Sequence, residues 1–294
     1  MSIDERLAAP GVWFHTEGMT AGAGAEFAQK VESLGYAALW LPETLGRDPF
    51  AHIAHLIDAT ESLVLATGIA NIFHRHPGPM KQAALTLAEQ SGGRFVLGIG
   101  VSHEPMVAGV RQLDWSKPLT QMRQYLETMD ASPYRAVGPA EPPPRLLAAL
   151  GPKMLELAAS HADGAHPYWT TPEHTASARE ILGPSKLLCV EQKVVLSTDA
   201  AASREAARTA LSIYADLPNY RNSWKRLGYT EEEIESRDDR FVDAVVAWGD
   251  EAAVRSRVEA HYAAGATHVC IQPLSIEGAF RLDWPTLEAL APGA

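Results

Sequence analysis

The sequence predicts an α/β protein whose parallel strands close into a (β/α)8 barrel. Three observations carry this reading. Short apolar runs alternate with amphipathic stretches along almost the whole chain. The runs are nearly continuous in apolar residues, as strands covered by helices on both faces must be. The strand–helix repeats number about eight, and no Gly-x-Gly-x-x-Gly turn follows the first strand, which favours a closed barrel over an open doubly wound sheet.

The elements follow in order. GVWFH (11–15) reads as a short first strand. A helix over 24–35 places Phe27, Val31 and Leu34 on one stripe and stops at Gly35. Strands are expected at 36–41, 62–71 and 94–100, separated by helices at 50–60 and 79–93. The second of these helices starts at a proline and ends at glycines. A helix at 119–131 leads into the proline-rich, irregular stretch 132–144. Strand 145–150 and helix 151–162 come next, then a strand end at 163–168, a helix at 171–183 and a long strand at 186–197. Helix 199–217 precedes further helices near 217–247, an extra insert before the last unit, helix 250–265 with strand 267–274. With no linker or low-complexity tract in view, residues 1–294 read as one domain.

Composition narrows the function. Hydrophobic residues are 46% and charged residues 21% of 294, enough for a large core without staples. A net charge of −11 disfavours non-specific nucleic-acid binding and anionic membranes, but not a small anion in a local basic pocket. Cys189 and Cys270 lie in apolar runs and read as core residues of a cytoplasmic protein. No run of apolar residues is long enough to span a bilayer, and the start lacks a signal pattern.

In such a barrel the active site forms from loops at the carboxyl ends of the strands. The polar residues that follow the strands include His15, Glu43, Thr44, Asn71, His74, Arg75, His76, Ser102, His103, Lys153, His166 and Gln272. Six of the 11 histidines, counting His174 loosely, gather in these places, which suggests a function; taken singly, each is equally readable as a solvated loop residue. Leu-Gly-Pro at 150–152 turns a strand into a helix whose first amides could seat a phosphate, with Lys153 at the rim. An ordinary capped helix is the plainer reading. Gly68 inside an apolar strand suggests a bulge or a close approach by something flat, or simply a packing glycine. A distortion there would turn Ile69 towards a planar ligand and let Arg75 meet a phosphate or another acidic group. His74-x-His76 also has the spacing of metal ligands, but the last strand ends in Gln272 where a hydrolase would need a carboxylate, so no metal is expected.

Five segments, 31–43, 65–77, 92–105, 147–164 and 248–273, resemble the bacterial luciferase-like family of flavin and deazaflavin oxidoreductases, and its coenzyme F420-dependent branch most of all. The resemblance implies a luciferase-like TIM barrel with a ligand crevice on its carboxyl face. It implies a cis peptide at Gly68–Ile69 behind the deazaflavin ring, a phosphate turn at Gly151, Pro152 and Lys153, and contacts from Gly100, Val101 and Ser102. Two departures matter. The family's acid–His pair after the second strand is Glu43–Thr44 here, and His103 stands where sugar-phosphate-oxidising members carry a glutamate. The proton acceptor is therefore expected at His103, His76 or His15, with Glu43 orienting it. The resulting expectation is hydride transfer between coenzyme F420 and a small organic substrate, in a homodimer. An FMN-dependent monooxygenase and a non-catalytic flavin-binding relative are the alternatives.

Overall fold

The computed structural model describes residues 2–292. Its elements are α1 (Ile3–Arg6), β1 (Gly11–Trp13), α2 (Ala21–Ser33), β2 (Ala38–Leu41), α3 (Pro49–Ala59), β3 (Val64–Thr67), β4 (Ala70–Asn71), α4 (Pro77–Gln90) and β5 (Phe95–Gly100). A π-helical turn over Pro105–Val110 and α5 (Pro118–Ala131) lead to β6 (Arg145–Leu147), α6 (Pro152–His161), β7 (Gly164–Ala165), α7 (Pro172–Leu182) and β8 (Leu187–Leu196). The chain continues through α8 (Ala200–Leu211), α9 (Pro218–Arg226), α10 (Glu231–Ser236), α11 (Asp239–Val245), β9 (Val246–Gly249), α12 (Glu251–Ala263), β10 (His268–Pro273) and α13 (Trp284–Ala289).

The strands pair in parallel in the order β10-β1-β2-β3-β5-β6-β7-β8, and β8 returns to β10 to close the barrel. Caps written in the sequence start the helices between them. Thr20 accepts from Ala23 N at 3.2 Å, Asp48 from Ala51 N at 3.0 Å and Asp250 from Ala253 N at 2.9 Å. Thr20 is also why α2 starts before the expected residue 24.

Side chains alternate between two cores, the two-residue period of a strand. Ala38, Trp40, Val64, Ala66 and Val96 pack with Leu7, Cys189 and Cys270 inside the barrel. Leu39, Leu41, Leu65, Phe95 and Leu97 pack outwards against the helices. Both cysteines are buried free thiols. On β5 the period that places Val96 inside continues as Gly98 and Gly100, so this strand fills the lower barrel and contributes no side chain at its mouth.

Several elements depart from the sequence reading. The third strand is not continuous over 62–71: it breaks into β3 and β4 at Gly68–Ile69, and that peptide bond is cis. β1 ends at Trp13, and α8 ends at Leu211 instead of 217. The insert is helical through α9–α11, but its last residues form β9, paired with β8 from Lys193↔Val246 to Leu196↔Gly249. β8 outruns the two-residue β7, and β9 satisfies the backbone groups left over. Among the described residues no helix is long and apolar enough to cross a membrane.

Candidate functional site

The mouth of the barrel has an apolar floor built by three neighbouring strands. Ile69 lies between β3 and β4, and a methyl group placed on Gly100 would sit 2.7 Å from Ile69 Cδ1 and 3.0 Å from Ala148 Cβ. Gly100 thus lets Ile69 and Ala148 meet across β5. Ala148 N donates to Ile99 O at 2.9 Å, which keeps the segment after β6 level with the end of β5. Beneath this floor Trp13 Nε1 donates to Gly68 O at 2.8 Å. His166 lies there too, 1% exposed, stacked on Trp40 at 4.3 Å, with its Nδ1 2.8 Å from Cys189 O. Burial lowers its pKa to about 4, so the ring is neutral.

A polar cluster borders the floor. Glu43, after β2, accepts from Asn71 N at 2.7 Å and from Arg75 Nη1 at 2.8 Å, and lies 3.1 Å from His74 Nδ1. Arg75 also donates to Asp48 at 3.1 Å. The other ring nitrogen of His74 lies 3.2 Å from the Asn71 amide nitrogen. Glu43, Asp48, His74 and Arg75 line a cavity of about 400 Å³ with Arg47, Arg111, Phe73 and Leu113. Thr44 donates to Glu17.

Across the mouth, His103 meets the insert. Its ring centroid lies 5.5 Å from that of Tyr220 and 6.5 Å from that of Tyr214. Its Nδ1 is buried without a hydrogen-bond partner among the described residues. Burial lowers its pKa to about 4, against a smaller opposing effect of Asn219. Ser102, just before it, holds a left-handed φ of 54° at the bend that carries His103 away from the strand. Val101 O accepts from Trp115 Nε1 at 2.8 Å, which ties the long loop to the barrel. Below the tyrosines, Lys193 Nζ lies 3.0 Å from Glu191 Oε2 and 3.5 Å from the centre of the Tyr168 ring, with both charged side chains buried. Burial raises the Glu191 pKa and lowers that of Lys193 to about 8.

The turn into α6 forms a cationic corner. Gly151 is the N-cap residue, Pro152 opens the helix, and among the described residues no side chain caps the first amides. Arg226, from α9, reaches Leu150 O at 3.4 Å, and a methyl on Gly151 would sit 3.5 Å from its guanidinium. Lys153 is exposed at the same helix start.

The sequence-derived residues thus fall into distinct settings. Ile69, Gly100, Val101, Ser102 and His103 lie together at the mouth with the Gly151–Lys153 turn beyond Ala148. His15 stands at the opposite edge, half-buried, its ring 4.7 Å from Trp13. Burial, outweighing the nearby Glu17, lowers its pKa. Three residues are held by partners within the chain. His76 is exposed and caps α4, its Nδ1 accepting from Gly78 N at 3.2 Å, so it is held at the helix start. Arg75 meets acidic groups of the chain itself, the Glu43 and Asp48 carboxylates, where a ligand phosphate was the other reading. Asn71 is 1% exposed and its side chain serves Phe73 N and His74.

His74, offered by the sequence as a strand-end polar residue or a metal ligand, instead lies 3.1 Å from Glu43. Two groups escaped sequence reasoning. Lys193 and Glu191 were visible as charges two apart in an apolar strand, hence on one face. Arg226 left no local signal, because only the fold of the insert brings it to residue 151. Of the insert's aromatics, Tyr220 reaches the site, whereas Trp224, Tyr229 and Trp248 do not contact it. Trp224 and Tyr229 pack on Phe241, and Trp248 donates to Asp243.

The profile of the luciferase-like monooxygenases matches residues 7–268. A protein of Mycobacterium tuberculosis, inferred to be a coenzyme F420-dependent oxidoreductase, is 27% identical, covering 86% of this chain and 91% of its own. An F420-dependent secondary alcohol dehydrogenase, solved with an F420–acetone adduct, superposes with a TM-score of 0.77 at 16% identity over 96% of each chain. The oxygenating component of 3,6-diketocamphane monooxygenase of Pseudomonas putida, solved with FMN, gives 0.70 at 16% identity over 97% of this chain and 96% of its own. The closed parallel barrel and the match over most of its length place the chain in the luciferase-like monooxygenase family.

Proposed function

We propose that the protein is an oxidoreductase that transfers hydride between coenzyme F420 and a small organic substrate. The observation that carries this is one of contiguity. The apolar floor of Ile69, Gly100 and Ala148 runs, three residues on, into the cationic turn at Gly151 with Arg226 beside it. A flat apolar body with an anionic tail matches that pair of surfaces. The mycobacterial relative supports F420 as the cofactor.

When bound, the deazaflavin supplies the hydride-accepting or hydride-donating carbon. The chain's own residues do the rest. Ile69, Gly100 and Ala148 back the ring. The Gly151 turn, Lys153 and Arg226 hold the phosphate. His103 is neutral at physiological pH and can take or return a proton at Nδ1. Tyr214 and Tyr220 shield that ring from water.

Titration of the cofactor-free protein with F420 and, separately, FMN tests the reading by fluorescence. Binding of F420 with reduction of the bound form by an alcohol panel is the expected result. Tight FMN binding with no response to F420 would replace it with the monooxygenase reading. Binding without turnover across a broad substrate panel would favour a non-catalytic relative.

A further inference from the structure

Six rings run around one side of the mouth without a gap. His15 lies 4.7 Å from Trp13, Trp13 5.1 Å from Tyr168, Tyr168 5.5 Å from Tyr214, Tyr214 5.3 Å from Tyr220 and Tyr220 5.5 Å from His103, centroid to centroid. The arc draws on β1, the segment after β7, the insert and the loop after β5. Outside it, exposed apolar side chains gather on the same face of the barrel. Leu45 is 59%, Val110 56%, Leu113 42%, Ile276 51% and Phe280 42% exposed, all on segments leaving the carboxyl ends of β2, β5 and β10. Soluble proteins scatter such side chains singly, and a cluster marks a binding surface.

The buried cation beside the arc is paired: Lys193 faces Glu191 at 3.0 Å. In the neighbouring cavity Arg75 is held by Glu43 and Asp48, whereas Arg47 and Arg111 donate to the backbone oxygens of Met19 and Thr44. At the end of the arc His103 Nδ1 is a buried polar atom with no partner among the described residues.

We infer that the site takes a neutral substrate with a bulky, ring-bearing apolar body whose single oxygen function meets His103. The inference rests on the oxidoreductase reading for what happens to that oxygen, but not for the binding. A substrate carboxylate would lose its hydration against aromatic walls whose own buried cation, Lys193, is already paired with Glu191. A carbonyl or hydroxyl needs one hydrogen bond, and His103 Nδ1, at the end of the arc, is open to make it.

The test compares 4-phenylcyclohexanone with its derivative carrying a carboxylate on the phenyl ring. Binding is followed by tryptophan fluorescence on the cofactor-free protein and again on protein saturated with F420 or FMN. The neutral ketone is expected to bind at least about tenfold more tightly. Leu45→Ser combined with Leu113→Ser, both at exposed positions, is expected to weaken it about fivefold. His103→Phe should weaken the ketone but not phenylcyclohexane, which lacks the oxygen. Equal or tighter binding of the carboxylate, or no binding of either probe in any state, overturns the proposal. Equal losses for ketone and hydrocarbon in His103→Phe overturn the role given to that ring. A preserved preference for the ketone without F420-linked turnover counts against the redox reading alone.

Discussion

Glu43 holds His74 across two neighbouring strand ends, with His74 Nδ1 3.1 Å from Glu43 Oε1. The same carboxylate, 6% exposed, receives Arg75 and the Asn71 amide, so one acid fastens the loop after β4 to the loop after β2. Glu43→Gln leaves a half-buried guanidinium short of its partner, and the expected loss is about 2 kcal/mol. His74→Ala removes a single partner and should cost about 1 kcal/mol. Urea unfolding reads both, and a Glu43→Gln protein as stable as the parent contradicts the assignment.

The two glycines of β5 should respond differently to a methyl group. At Gly98 it would stand 2.1 Å from Thr67 O, a backbone atom fixed by the sheet. Gly98→Ala should therefore lose about 3 kcal/mol or more. At Gly100 the nearest atom is Ile69 Cδ1 at 2.7 Å, the end of a side chain that can turn. Gly100→Ala should cost about 1 kcal/mol of stability but displace Ile69, and so weaken cofactor binding. Melting temperatures and cofactor titrations of the two proteins separate these outcomes.

The cationic corner at α6 gives a third prediction. Lys153→Ala and Arg226→Ala are each expected to weaken FMN or F420 binding about tenfold and to flatten its dependence on salt. Riboflavin, which has no phosphate, should bind all three proteins alike. A loss of riboflavin affinity equal to that of FMN would mean that the two cations act on the fold and not on the phosphate.

Acid should unfold the protein through its buried histidines. Burial lowers the pKa of His166 and His268 to about 4, and that of His261 to about 3, from an ordinary 6.5. The unfolded chain therefore takes up protons first as the pH falls. The stabilisation is complete above pH 6.5 and is lost towards pH 4, at up to about 1.4 kcal/mol per pH unit for each ring. Urea midpoints between pH 7 and pH 4 should fall steeply. His268→Gln should flatten the curve, and a mutant curve parallel to the parent would refute the assignment.

Much of the barrel was legible because strand and helix write themselves locally. Leu39 and Trp40 alternate faces, Thr20 and Asp48 cap helices, and Gly35 ends one. Where two local solutions compete, the reading failed. Val246–Gly249 is a short apolar run at the end of a helical insert, and it became a strand because the long β8 offered it open backbone groups. The turn over Pro105–Val110 was missed because its π-helical form leaves no apolar period to read.

By itself the sequence determined the alternation of strand and helix, the buried thiols and the segments that would meet at the mouth, since each depends on residues a few places apart. Tertiary structure alone decided which of those residues share a charge. Glu43 took His74 and Arg75 from a neighbouring strand, His76 went to cap a helix, and Arg226 arrived from the insert beside Gly151. Carboxylates, imidazoles and guanidinium groups choose partners by distance and desolvation in space, and separation along the chain carries neither.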